Sequence, residues 1–188
     1  MSESTSSLPS TLEEPVWKTI LTELQQIGVK LFFVLVPINR KVNILAKWDL
    51  WGPLVLCMTF AMFLSFNAPS GQGDIMFATG FFIVWIGAVV VTVNAIILGS
   101  NISIFQSVCL LGYCIAPLVL AEAINTLLGL VGLDIIFIKL VVTFISFVWS
   151  TFAALSFFFK TVEMKKVALV LYPVILFFLA IAWLILVC

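Results

Sequence analysis

The sequence predicts an all-α, polytopic integral membrane protein with five transmembrane helices and an N-terminal cytosolic amphipathic helix. Hydrophobic residues make up 63% of the chain and charged residues only 10%, whereas soluble domains carry about 25% charged residues. Five apolar segments approach the length of about 20 residues that a membrane-crossing helix needs. Half of the charged residues lie before residue 48. The chain therefore divides into a polar N-terminal part and a lipid-soluble remainder.

The N-terminal part divides into two segments. Residues 1–14 are rich in Ser, Thr and Glu, which predicts a disordered polar tail. Residues 15–49 are predicted to form an amphipathic helix and a basic juxtamembrane collar. Apolar residues recur at three- and four-residue steps from Val16 to Leu35, with Lys, Glu and Gln between them. The helix is expected to lie on the membrane surface or to bind a partner protein.

A short motif marks the point where the chain leaves water and enters lipid. It reads Trp48-Asp49-Leu50-Trp51-Gly52-Pro53. Asp49 suits a helix N-cap, and Pro53 is tolerated in the first turn of the helix that follows. Gly52 allows another backbone to come close, and the two tryptophans suit the headgroup layer. The motif is either a well-formed entry to a transmembrane helix or a recognition motif.

The transmembrane domain is predicted to cover residues 50–187. Its five spans are Leu50–Phe66, Ile75–Leu98, Ile104–Ala121, Ile135–Phe159 and Val167–Val187. Turn-forming or polar residues separate them. Between the third and fourth spans, Asn125 to Asp134 is expected to be a weakly polar connection, with Glu122 a solvated residue at its edge.

Basic residues predict the orientation of the chain. Five of them precede the first span, and three more lie between the fourth and fifth spans. The positive-inside rule therefore places the N-terminus in the cytosol and the C-terminus in the lumen. Lys139 is the exception, because it lies about one turn inside the fourth span, where it can snorkel or pair with Asp134.

The third span carries a second motif, Gly112-Tyr113-Cys114-Ile115-Ala116-Pro117. Pro117 cannot donate a hydrogen bond to the Tyr113 carbonyl, so the helix should kink or open there. Gly112 and Ala116 form a small-residue face that permits close helix packing. Tyr113 brings a hydroxyl into the span and needs a partner. The motif is either a kinked packing element or a ligand or partner site within the membrane.

Several function classes are disfavoured by the sequence. The chain has no histidine, and its four cysteines lie in apolar runs without metal-ligand spacing. We therefore predict no catalytic, cofactor or metal site. Nine basic and nine acidic residues cancel, so nucleic-acid binding is not expected. No charged residue is predicted at the middle of a span, which argues against an ion or proton pathway.

The two motifs, in this order and with five spans, resemble those of the Yip-domain family, the Ypt- or Rab-GTPase-interacting membrane proteins. Three further stretches resemble the branch of Yip-domain family member six. They are Glu14–Ile20, Leu98–Ser103 and Val170–Val174. The sequence departs from the common pattern at Trp51, where many members have tyrosine, and at Ala116, where a bulkier residue is frequent.

The resemblance implies a non-enzymatic adaptor of Golgi or endoplasmic reticulum membranes in vesicle-mediated transport, including ER to Golgi transport. Its implied partners are Rab-type small GTPases, other Yip-family proteins in a hetero-oligomer, and membrane lipid. The motif residues carried over as partner-binding candidates are Asp49, Leu50, Trp51, Gly52, Pro53, Gly112, Tyr113, Ala116 and Pro117. The alternatives are a membrane-shaping or lipid-handling protein with short first and third spans, and then a small transporter or channel.

Overall fold

The computed structural model describes residues 51–99, 103–132, 136–161 and 167–188, together with residues 25, 28 and 31. The predicted tail (1–14) and nearly all of the predicted amphipathic helix and collar (15–49) lie outside these residues. Asp49 and Leu50 of the entry motif also lie outside them, as does Asp134. Gln25, Gly28 and Leu31 are helical, and Leu31 packs against the core of the bundle.

Every regular element of the described residues is an α-helix, which confirms the all-α class. The six helices are α1 (Trp51–Asn67), α2 (Gly73–Ile97), α3 (Ile104–Cys114), α4 (Ala116–Leu130), α5 (Ile136–Thr161) and α6 (Val167–Val187). Only Ile115 separates α3 from α4, and its backbone is itself close to helical, with φ −73° and ψ −17°. We refer to α3 and α4 together, Ile104–Leu130, as the central rod.

Four segments are long and apolar enough to cross a membrane: α2, the central rod, most of α5, and α6. The fifth, α1, is a shorter apolar helix of 17 residues. Where described residues continue past a helix end, the predicted boundaries of the first, second and fifth spans agree with it to within about two residues, the usual uncertainty of a helix boundary. Gly99 ends α2 with a positive φ of 85°, a conformation that favours glycine at a helix C-terminus.

The predicted end of the third span at Ala121 is wrong. Helix α4 continues to Leu130, so the first six residues of the predicted connection are helical. The polar residues that indicated a loop have partners on neighbouring helices, as described below. A helix in lipid can carry such residues when other helices satisfy them.

The central rod is the middle of the bundle. In the most apolar stretch of the central rod 72% of the residues are buried, whereas in the corresponding stretch of α5 only 11% are buried. Helix α1 packs on α2 and on both halves of the rod, whereas α5 packs mainly on α4 and α6. The largest fully buried side chains include Tyr113, Phe60, Phe158 and Phe178.

The two ends of the bundle are named after the first and last described residues of α1. The Trp51 end contains the start of α1, and the Asn67 end contains its last residue. The Asn94 amide near the end of α2 donates to the Leu169 carbonyl near the start of α6. That hydrogen bond places both of these helix termini together, at the Trp51 end.

Candidate functional site

The described residues of the entry motif, Trp51, Gly52 and Pro53, open the described part of α1. Gly52 and Pro53 are buried, whereas 67% of the Trp51 surface is exposed. Pro53 is the third residue of the helix, where its missing N–H does not remove an intrahelical hydrogen bond. The motif therefore has two faces: a glycine and a proline that point into the bundle, and a tryptophan that points away from it.

The second motif spans the junction of α3 and α4. Gly112 and Tyr113 end α3, and Ala116 and Pro117 begin α4; all four are buried. The expected interruption before Pro117 is confirmed, because regular helix stops at Cys114 and restarts at Ala116. The Ile115 carbonyl then accepts hydrogen bonds from the N–H groups of Leu118 (2.8 Å) and Val119 (3.0 Å).

The two motifs contact each other. A Cβ atom added to Gly112 would lie 2.6 Å from the Pro53 Cβ and 3.3 Å from the Pro53 Cα. A Cβ atom added to Gly52 would lie 2.9 Å from the Tyr113 Cε1 and closer still to the phenol oxygen. Each glycine thus provides the space that a residue of the other motif occupies. We call Gly52, Pro53, Gly112 and Tyr113 the motif contact.

The motif contact holds α1 against the central rod. Tyr113 is fully buried, with 0% of its surface exposed, so neither lipid nor an external partner reaches its side chain in this arrangement. Small residues in lipid permit the close backbone approach on which helix association depends. Of the motif residues that the structure describes, Trp51 is the exposed one. The role of these residues in partner binding stays a prediction.

A second contact of α1 lies at the Asn67 end and is polar. The Asn67 Nδ2 atom donates to Glu122 Oε1 at 2.6 Å and to Thr126 Oγ1 at 2.8 Å. The Asn125 Nδ2 atom donates to Thr143 Oγ1 of α5 at 3.4 Å. We call Asn67, Glu122, Asn125, Thr126 and Thr143 the polar cluster. It joins α1, α4 and α5.

The expectation that Glu122 is a solvated loop residue is wrong. Its side chain is fully buried, at 0% exposure, and it lies in the second half of the central rod. The Lys139 ammonium acts on its carboxylate electrostatically, and the Asn125 side chain lies beside it. Sequence reasoning also missed Asn67, Asn125 and Thr143. The available signal was the spacing of Glu122, Asn125 and Thr126, which puts all three on one helix face.

The cysteines behave as small apolar side chains. Cys57, Cys109 and Cys114 are buried, Cys188 is half-buried, and none of the four forms a disulfide bond. Among the described residues, no group of three or more Cys, Asp or Glu side chains is arranged to hold a metal ion.

Comparison with known proteins gives the family. The Yip1 domain model matches residues 38–184. "Protein YIPF6 homolog" of Dictyostelium discoideum is 45% identical over 95% of this chain and 96% of its own length. Human "Protein YIPF6" is 44% identical over 94% of this chain and 76% of its own length. "Protein YIP4" of Schizosaccharomyces pombe is 36% identical over 93% of this chain and 74% of its own length. No solved structure matches the chain. The chain belongs to the Yip1-domain family of membrane proteins, on its YIPF6 branch.

Proposed function

We propose that this protein is a non-enzymatic adaptor of Golgi or endoplasmic reticulum membranes that binds Rab-type GTPases, sister Yip-family proteins, or both, in vesicle-mediated transport. The observation that carries the proposal is the motif contact. The two motifs that define the resemblance pack against each other around glycines, and the described residues of this contact form no reactive site.

The motif contact fixes the point at which the N-terminal segment joins the bundle. Trp51 stands exposed beside two buried residues of the same turn. A segment attached there starts from a defined position and orientation, which lowers the entropy lost when it binds a partner. In the proposed topology the Trp51 end faces the cytosol and the Asn67 end faces the lumen, with the N-terminus cytosolic and the C-terminus lumenal.

A deletion tests the adaptor proposal. The full chain and a variant lacking residues 11–38 are expressed in native membranes, solubilised, and offered a panel of purified prenylated Rab-type GTPases and tagged sister Yip-family proteins. We expect the deletion to abolish capture and to leave membrane insertion intact, because the described helices form the bundle. Equal capture by both chains contradicts the proposal.

Exchange of single tryptophan residues refines the same test. Trp51→Ala should reduce capture of the partner at unchanged thermal stability, because most of its side chain is exposed. Trp183→Ala is the matched control, since 69% of that tryptophan is exposed but it lies near the other end of the bundle on α6. Equal loss of capture in both variants assigns the effect to the membrane surface rather than to the motif.

A membrane-shaping or lipid-handling role is the second proposal, and the length of α1 favours it. The described part of α1 has 17 residues, fewer than each of the other spans, although the third span is not short as that hypothesis assumed. Purified protein in liposomes should then change curvature or scramble lipid without any partner. Unchanged vesicles remove this function, and an ion or solute flux assay on the same vesicles tests a transporter or channel.

A further inference from the structure

Two buried oxygen atoms of the polar cluster accept no hydrogen bond from any described residue. They are Glu122 Oε2 and Asn125 Oδ1. Glu122 is 0% exposed and Asn125 is 9% exposed. The two residues are three positions apart on α4, so they share one helix face. A buried acceptor without a donor costs free energy, and a carboxylate oxygen costs more than an amide oxygen. Both atoms therefore require the same kind of partner: a donor or a cation.

The oxygen atoms around this point define the chemistry of that partner. The polar cluster offers a carboxylate, amide groups and two threonine hydroxyls, and it contains no sulfur or imidazole. Such hard oxygen ligands suit alkali and alkaline-earth cations rather than zinc or copper. Burial disfavours the ionised form of Glu122, and the neutral acid would donate a hydrogen bond, so an ion is needed only when the carboxylate is charged. An ionised Glu122 supplies a single negative charge. That charge neutralises a monovalent ion, whereas a divalent ion would leave excess positive charge in a medium of low dielectric constant.

The side chain of Lys139 is a second cation for the same position. It lies one turn before Thr143 on α5, on the face that meets Asn125. An ammonium is itself a monovalent cation with three hydrogen-bond donors. Lys139 and a small metal ion are thus chemically equivalent partners for Glu122.

We propose that Glu122 and Asn125 bind one monovalent metal cation, for which sodium is the probe, in competition with the side chain of Lys139. Asn67 is half-buried at the last residue of α1, and it separates the cluster from the Asn67 end of the bundle. The ion would enter from that side. Both proposed ligands lie on α4, and they are also the residues that α1 contacts through Asn67 and α5 through Thr143.

One competing arrangement needs no ion. If the Asn125 amide is rotated by 180°, its Nδ2 atom faces Glu122 and its Oδ1 atom accepts a hydrogen bond from the Thr143 hydroxyl. Both acceptors are then satisfied within the protein. This arrangement predicts that stability does not depend on the cation present.

The full chain in detergent micelles provides the test. Its Tm and its binding of radioactive sodium are measured at constant ionic strength while choline chloride is replaced by sodium chloride. We expect a saturable rise in Tm and saturable binding of one ion, because a ligand that binds only the folded state stabilises it. An equal Tm and no specific sodium binding overturn the proposal. A rise with calcium but not with sodium also overturns it.

Three variants locate the ion. Glu122→Gln should abolish sodium binding. Asp74→Asn should not, because it removes one negative charge from an exposed position at the same end of the bundle. Lys139→Met should lower the half-saturating sodium concentration several-fold by removing the competitor. If Glu122→Gln does not fold, the half-saturating sodium concentrations of the wild type and Lys139→Met still test the proposal. Loss of binding in Asp74→Asn, or an unchanged half-saturating concentration in Lys139→Met, contradicts the proposal.

Discussion

Helix α1 makes two contacts with the central rod, and they are held by opposite means. The motif contact joins two glycines to a proline and a tyrosine, with almost no space between them. The contact at the Asn67 end consists of hydrogen bonds from one amide to a carboxylate and a hydroxyl. Lipid gives helices no hydrophobic drive to associate, so steric fit and buried polar bonds remain. The first contact should fail when volume changes, and the second when a donor is lost.

The largest expected effect follows from removing a buried side chain of the motif contact. Tyr113→Ala removes a fully buried aromatic ring and should lower the free energy of unfolding by about 3 kcal/mol or more. Tyr172→Ala is the control, because that tyrosine is 67% exposed, and it should change stability by less than about 0.5 kcal/mol. Unfolding of the detergent-solubilised protein by SDS measures both. Similar losses in the two variants would contradict the described packing.

Overfilling the same contact should have the next largest effect. Gly112→Ala places a methyl group against the ring and backbone of Pro53, and should cost about 1–3 kcal/mol. Gly129→Ala adds the same group to the same rod where nothing lies within 4 Å. Since alanine favours helix over glycine, this control should be neutral or slightly stabilising, by up to about 1 kcal/mol. Thermal melts in one detergent compare the two, and equal effects would refute a steric contact.

Loss of the donor at the Asn67 end should have a somewhat smaller effect. Asn67→Ala removes the hydrogen bonds to Glu122 Oε1 and Thr126 Oγ1 and leaves that carboxylate oxygen without its Asn67 donor, at a cost of about 1–2 kcal/mol. Thr59→Ala, also in α1, removes only a hydroxyl that bonds to its own helix at the Val55 carbonyl. SDS unfolding of both variants should show a clear loss only for Asn67→Ala.

The smallest expected effect is the interaction between the two contacts. Gly112 and Glu122 are ten positions apart, which separates them by about 15 Å along the helix axis. The double variant Gly112→Ala with Asn67→Ala should therefore lose the sum of the single losses to within about 0.5 kcal/mol. A larger deviation would show that α1 moves as a rigid unit between the two contacts.

Most of the helices could be predicted from hydropathy, and the motif contact could be predicted in part. The small residues Gly52 and Gly112 indicated close packing, and Pro117 indicated the break in the central rod. That Gly112 meets Pro53 was not predictable, because spacing within each motif says nothing about which other helix it contacts. Except for Gln25, Gly28 and Leu31, the residues before Trp51, on which the proposed partner binding depends, lie outside the described part of the chain.

The polar cluster escaped prediction for a different reason. Glu122, Asn125 and Gly129 lower the local hydropathy, and in isolation they are typical of a loop. Their burial depends on Asn67, which is 55 positions away in sequence from Glu122, and on Thr143 of another helix. Periodicity and composition detect local preferences, whereas a buried carboxylate is stabilised by side chains that only the folded bundle brings to it.

The length of α1 has a consequence for the membranes that suit this protein. Its 17 described residues span about 25 Å, while the hydrocarbon layer is about 27 Å thick in the endoplasmic reticulum and about 32–33 Å in the plasma membrane. Because the motif contact and the Asn67 hydrogen bonds hold α1 against the central rod, the helix cannot shift along the rod to relieve a mismatch with the bilayer thickness. Each additional ångström of lipid then has an energetic cost. The packing of α1 on the central rod is therefore expected to depend on bilayer thickness.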